Sequence, residues 1–268
     1  MSRIQHCFEQ LKANDKKALI PYITAGDPTP QHTVELMHSL VEAGADIIEL
    51  GMPFSDPMAD GPVIQLACER ALAAGTTVRK VLQIVAEFRQ INQQTPVVLM
   101  GYLNPIEFFG YQAFSDAAKE VGVDGILLVD LTPEEATDVV ECFRSNSIDL
   151  IYLLSPTTTP ARAAKICSMA SGYVYYVSVK GVTGSATLDV DSVATHVESL
   201  REITDLPIGV GFGIRDAQTA RAVSQCSDGV IVGSVLVNAI ASAADSTQDQ
   251  IADALRDILT PMRVEMDK

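Results

Sequence analysis

The stretch IIELGMPFSDPMADG, residues 47–61, puts acids where acids are unusual. Glu49 closes an apolar run, and an irregular loop carrying Asp56 and Asp60 follows. In an extended strand Ile47 and Glu49 share one face, while Ile48 and Leu50 share the other. If Ile48 and Leu50 pack on helices, Glu49 points into whatever the strand encloses. Desolvation there lifts a carboxyl's pKa towards neutrality, which suits a group that must lend and recover a proton. The plainer alternative is a Glu paired with a buried cation, but no Lys or Arg ends the first five apolar runs. Asp60 could bring a second carboxylate over the same site. Asp56 could do so too, or either could cap the helix that starts near Pro62. The loop's prolines and glycines exclude a regular element, yet Met52, Phe54 and Met58 keep it partly apolar, as a lid or docking surface would be.

Small residues form a second pattern: Gly181 and Gly184 in KGVTG, Gly211 and Gly213 in GFGI, and Gly233 with Ser234 in VGS. Glycines let a ligand approach the backbone, and amides that precede a helix form an anion nest. Tyr22, Met100, Leu127, Tyr175 and Phe212 lie on apolar runs or at their ends, where they could wall a flat aromatic group or simply fill a core. Together these residues predict a small phosphorylated substrate with an apolar end, handled by carboxylate acid–base catalysis. Lys180 supports a competing reading, a Schiff-base aldolase, unless it is a solvated loop cation. A third reading is a non-catalytic subunit that binds a phosphorylated ligand and a partner; it would have no use for Glu49. His6, His32, His38 and His196 fall in or at the start of helical segments, so no His-based metal site is expected, and no Ser/His or Cys/His pair is placed for acyl transfer.

These groups need a scaffold. Short apolar runs recur as ALIPYITAG, DIIELG, PVVLMGY, DGILLVD, IDLIYLLS, YVYYVSV, PIGVGFG and DGVIVGS. Helical stripes lie between them, such as Val78, Val81, Leu82, Val85 and Phe88, or Val193, Val197 and Leu200. Thr132–Pro133 with Glu135, and Thr159–Pro160, read as helix starts. Strands apolar on both faces, alternating with amphipathic helices, indicate a parallel sheet. An echo shared by EAGADIIELG, EVGVDGILLVD and SQCSDGVIVGS supports repeated units. Eight units predict a single (β/α)8 TIM barrel spanning residues 1–268, with additional helices. The alternative, an open doubly wound sheet, lacks the G-x-G-x-x-G expected after its first strand. Ile4, Cys7, Phe8 and Leu11 fit one face of an extra N-terminal helix. In such a barrel the strand C-termini carry the chemistry, and the loops after strands seven and eight hold phosphate.

With 47% hydrophobic residues and a formal charge of −15 spread along 268 residues, the chain has material for a large core and no basic surface for nucleic acid or an anionic membrane. Five scattered cysteines without a C-x-x-C pair fit reduced thiols. No signal-peptide pattern and no membrane-spanning run is present, so the expected location is cytoplasmic.

The stretch IELGMPFSDPMADGPVIQ closely resembles the signature of the tryptophan synthase alpha subunit family, and PYITAGDP, YLNPIEFFG, GVTG and GFGI are similar to further family segments in the same order. The resemblance implies a barrel lyase that cleaves indole-3-glycerol phosphate to indole and glyceraldehyde 3-phosphate. It implies Glu49 and Asp60 as catalytic carboxylates, and Tyr22, Met100, Leu127, Tyr175 and Phe212 as the indole wall. Gly184, Gly213, Gly233 and Ser234 become the phosphate cradle, and Thr183 a loop residue meeting the Asp60 loop on closure. Two departures stand out: Tyr22 where a Phe is familiar, and Val179–Lys180 where some relatives begin with an arginine. The family also implies a beta subunit in an alpha2beta2 complex, with pyridoxal phosphate carried by that partner and no cofactor in this chain. The loop PFSDPMADG and the segment NPIEFFGY, with Phe108 and Phe109, are the candidate contacts.

Overall fold

The structure, a computed structural model, describes residues 2–178, 189–211 and 213–268. In chain order its elements are α1 (Arg3–Ala13), β1 (Ala18–Thr24), α2 (Pro30–Glu42), β2 (Ile48–Gly51), α3 (Pro62–Ala73), α4 (Val78–Ile91), β3 (Val97–Gly101), α5 (Leu103–Phe109), α6 (Tyr111–Val121) and β4 (Gly125–Leu128). They continue as α7 (Thr137–Ser145), β5 (Asp149–Leu154), α8 (Pro160–Met169), β6 (Val174–Val177), α9 (Val190–Arg201), β7 (Ile208–Gly211), α10 (Ala217–Ser224), β8 (Gly229–Val232), α11 (Ser234–Ser242) and α12 (Gln248–Met266). All eight predicted strands are present and every pairing is parallel. β8 returns to β1, with Ala18 opposite Gly229, and closes the barrel expected from the strand count. Among the described residues no helix is long and apolar enough to cross a membrane.

Alternation sorts the strand side chains into two layers. Ile48, Leu50, Leu99, Ile126, Leu128 and Val210 join the cluster that packs against the helices. Ile20, Ile47, Val98, Leu127, Ile151, Tyr173, Tyr175 and Ile231 form a second cluster, inside the barrel. The faces alternate as the 47–50 segment predicts, and Glu49 is therefore turned inward. α4 buries Val81, Leu82, Val85 and Phe88, and α9 buries Val193, Val197 and Leu200, as their periodicity requires.

α1 covers the end of the barrel where the strands begin. Ile4 and Phe8 enter the interior cluster, with Cys7 and Leu11 packed beside them. Arg3 reaches Asp124 at 2.8 Å and Ser2 Oγ donates to Asp149 Oδ2 at 2.6 Å, both next to strand starts. Asp124 also receives Arg89 Nη2 at 2.7 Å and the Val97 amide at 2.8 Å, so one carboxylate ties α1, α4 and β3 together. Thr159 caps α8 by accepting from the Arg162 amide, with Pro160 in the first turn, as expected. The start expected at Thr132 is displaced. Thr132 O accepts the Glu135 amide in a single turn, Glu134 is drawn into ion pairs with Arg162 and Lys165, and the helix begins only at Thr137 behind Ala136.

Candidate active site

Glu49 stands on the inner face of β2, 1% exposed. Tyr173 Oη donates to its Oε1 at 2.5 Å, while Oε2 is buried without a partner. Burial pushes its pKa up from 4.5 to about 7, against the opposing pull of the Tyr173 hydrogen bond. No Lys or Arg among the described residues pairs with it.

Asp60 lies on the loop between β2 and α3. Tyr102, just beyond β3, donates from Oη to Asp60 Oδ2 at 3.0 Å and accepts the Ala59 amide at 2.9 Å. Gln65 Nε2 donates to Asp60 O at 2.8 Å, so the first turn of α3 holds the end of the loop. Burial raises the Asp60 pKa and the Tyr102 hydroxyl works against that rise. Neither acid of this loop caps α3, whose N-cap is Gly61. Asp56 is exposed and receives the Ser55 hydroxyl, whereas Asp60 enters the cavity.

That cavity, ≈ 390 Å³, is shared by Glu49 and Asp60, and its size suits a small organic ligand. Tyr22, Ile64, Met100, Tyr175 and Ile231 supply its apolar walls. The two tyrosine rings lie across glycines: a Cβ at Gly51 would stand 2.2 Å from Tyr22 Oη, and one at Gly211 only 2.0 Å from Tyr175 Oη. The extra hydroxyl of Tyr22 is accommodated by that gap and by a 3.3 Å contact with Thr24 Oγ1. On the β7 and β8 side the lining is Gly213, Gly233, Ser234 and Val235, the last three at the start of α11. Arg215 is the one Lys or Arg among the described lining residues.

Of the expected site residues, Tyr22, Glu49, Asp60, Met100, Tyr175, Gly213, Gly233 and Ser234 line this cavity. Leu127 is fully buried in the interior cluster with Val98, Ile151 and Tyr175, and the strand register sets it beside Met100 of the cavity wall. Thr183, Gly184 and Phe212, with Lys180 of the competing reading, lie outside the described residues. Of the proposed partner contacts, Phe108 is 94% exposed and Met58 81%. Phe109 instead packs on the core, edge-on to Phe114 at 5.8 Å and beneath the Arg79 guanidinium. Sequence reasoning missed Tyr102, Tyr173, Ile64 and Arg215. Only Tyr173 had a signal, since the alternation that selects Tyr175 on β6 also selects position 173. Among the described residues no three His, Cys, Asp or Glu side chains are grouped to hold a metal.

The family model described as "Tryptophan synthase alpha chain" matches residues 8–264. The chain belongs to this family. It is 62% identical over 267 residues to the tryptophan synthase alpha chain of Marinobacter nauticus, covering 100% of this chain and 98% of that one. Identity to the Thioalkalivibrio sulfidiphilus protein of the same name is 58%, covering 100% and 99% of the two chains. A crystal structure of tryptophan synthase subunit alpha from Legionella pneumophila superposes with a TM-score of 0.92 at 47% identity, covering 100% of this chain and 99% of that one.

Proposed function

We propose that this chain cleaves indole-3-glycerol phosphate into indole and glyceraldehyde 3-phosphate, with Glu49 and Asp60 as its acid–base pair. The observation that carries the reading is Glu49 itself: buried, with one oxygen held by Tyr173 and, among the described residues, no cation and no partner for the other, in a cavity shared with Asp60. A carboxyl poised near pH 7 can give a proton and take one back in a single turnover.

The indole lies against Tyr22, Met100 and Tyr175, and the phosphate against the amides of Gly213, Gly233 and Ser234, with Arg215 at the edge. Neutral Glu49 protonates indole C3, which breaks the ring's aromaticity and leaves positive charge at N1. The Asp60 carboxylate faces that N–H and stabilises the charge. Glu49, now ionised, takes the proton of the hydroxyl on the carbon attached to C3. The C–C bond parts, its electron pair restores the aromatic ring, and the carbon chain leaves as the aldehyde. Glu49 ends protonated as it began, so protons balance without metal, imine or cofactor. We further propose that indole passes to a pyridoxal-phosphate-dependent beta subunit in an alpha2beta2 assembly, seated on the face that presents Phe108 and Met58.

Release of indole from indole-3-glycerol phosphate tests the reading. Glu49→Gln is expected to abolish it while binding of glycerol 3-phosphate persists. Loss of both together would make Glu49 structural. With Glu49 required protonated and Asp60 ionised, kcat/KM should be bell-shaped, falling above about pH 7 on the alkaline side.

A further inference from the structure

We propose that Tyr102 is a positioning residue for the reaction, aiming one oxygen of Asp60 at the substrate by holding the other. This rests on the assignment of Asp60 made above. The phenol uses its donor on Asp60 Oδ2 and accepts the Ala59 amide, so both hydrogen-bonding roles are committed to adjacent residues of one loop. The ring is 4% exposed and lies 5.3 Å, centroid to centroid, from Phe54 at the other end of that loop. Its own backbone is fixed from outside the loop: the next amide, Leu103 N, donates to Asp130 Oδ1 at 2.8 Å, beyond β4. Tyr102 is the N-cap residue of α5, yet its side chain makes no capping bond there. The hydroxyl therefore serves the Asp60 loop rather than its own helix.

The loop from Met52 to Gly61 has no regular hydrogen-bond ladder to define where its acid points. An anchor built on a barrel strand supplies that definition, and misplacing a reacting group by about 1 Å can cost ~100-fold in rate. The groups facing Asp60 are Tyr22 from β1, Glu49 from β2, Cys68 from α3, Tyr102, Tyr175 from β6 and, elsewhere on the same cavity, Arg215. Burial pushes the Cys68 thiol up to about 11 and raises all three tyrosines. Burial holds the thiol and the tyrosines to the alkaline side, so among these groups the acid limb of the pH profile is assigned to Asp60, whose pKa burial raises and the Tyr102 hydroxyl lowers.

Tyr102→Phe keeps the ring against Phe54 and removes the hydroxyl. The expected result is a kcat loss of about tenfold or more with KM for indole-3-glycerol phosphate nearly unchanged. The acid limb should also move to higher pH, because the lost donor favoured ionised Asp60. In an Asp60→Asn background the same change should cost nothing further. An unmoved acid limb, or an equal loss in both backgrounds, overturns the proposal. Should the wild-type chain release no indole, the assigned reaction fails on its own, and hydrogen exchange at the Ala59 amide still decides the anchor. Faster exchange in Tyr102→Phe supports it, and unchanged exchange refutes it.

Discussion

Glu49 should reveal itself in stability as well as in catalysis. Its carboxyl ionises near 7 in the fold and near 4.5 in an open chain, so the folded state binds the proton more tightly across that interval. Folding stability therefore falls as pH rises through the window, and above it the fold carries the whole cost of a buried, unpaired carboxylate. At 1.36 kcal/mol for each tenfold difference in proton affinity, that cost is ~3 kcal/mol. Glu49→Gln removes the titration. The amide brings its own buried N–H groups, but their effect is the same at every pH. The informative quantity is thus how the difference between wild type and variant changes with pH. Urea unfolding of both proteins at about pH 5 and pH 8 should show the wild type losing ~2–3 kcal/mol more than Glu49→Gln over that span. Parallel pH dependence would refute the reasoning, since it would mean that Glu49 titrates normally and is solvated.

The other expectations are more direct. Arg215→Gln should raise KM about tenfold, with kcat nearly unchanged, because the cavity loses its one described cation while keeping its amides. Phe8→Ala should cost ~3 kcal/mol in urea unfolding, since the ring is 7% exposed and packs 5.8 Å from that of Tyr173. Phe108→Ser should leave stability within about 0.5 kcal/mol and weaken co-elution with a beta subunit in gel filtration, as the ring is 94% exposed.

The barrel was legible because its signals are local. Strands buried on both faces are apolar without a break, helices carry stripes, and eight repeats of that unit close on themselves. Glu49 was legible for a related reason: alternation along one strand places it, and an acid in that register is conspicuous. Tyr173 was harder to read, because its role depends on meeting a residue 124 positions away across the barrel interior. Tyr102 was hidden for the same reason, in a segment whose sequence reads only as a strand ending. The choice between Asp56 and Asp60 turned on which of two neighbouring carboxylates found a hydroxyl on the barrel, which loop composition does not encode. Thr132 has every mark of a helix start, but the chain closes one turn there and begins the helix five residues later.

The N-terminal helix has a bearing on product fate. With Ile4 and Phe8 driven in like a stopper among the innermost side chains, the barrel is a flask rather than a pipe. A small uncharged aromatic released inside cannot drain through the base; it must depart past the brim, where Met58 and Phe108 stand in solvent. Any protein docked on that brim controls the outlet, and indole can be handed on without first escaping.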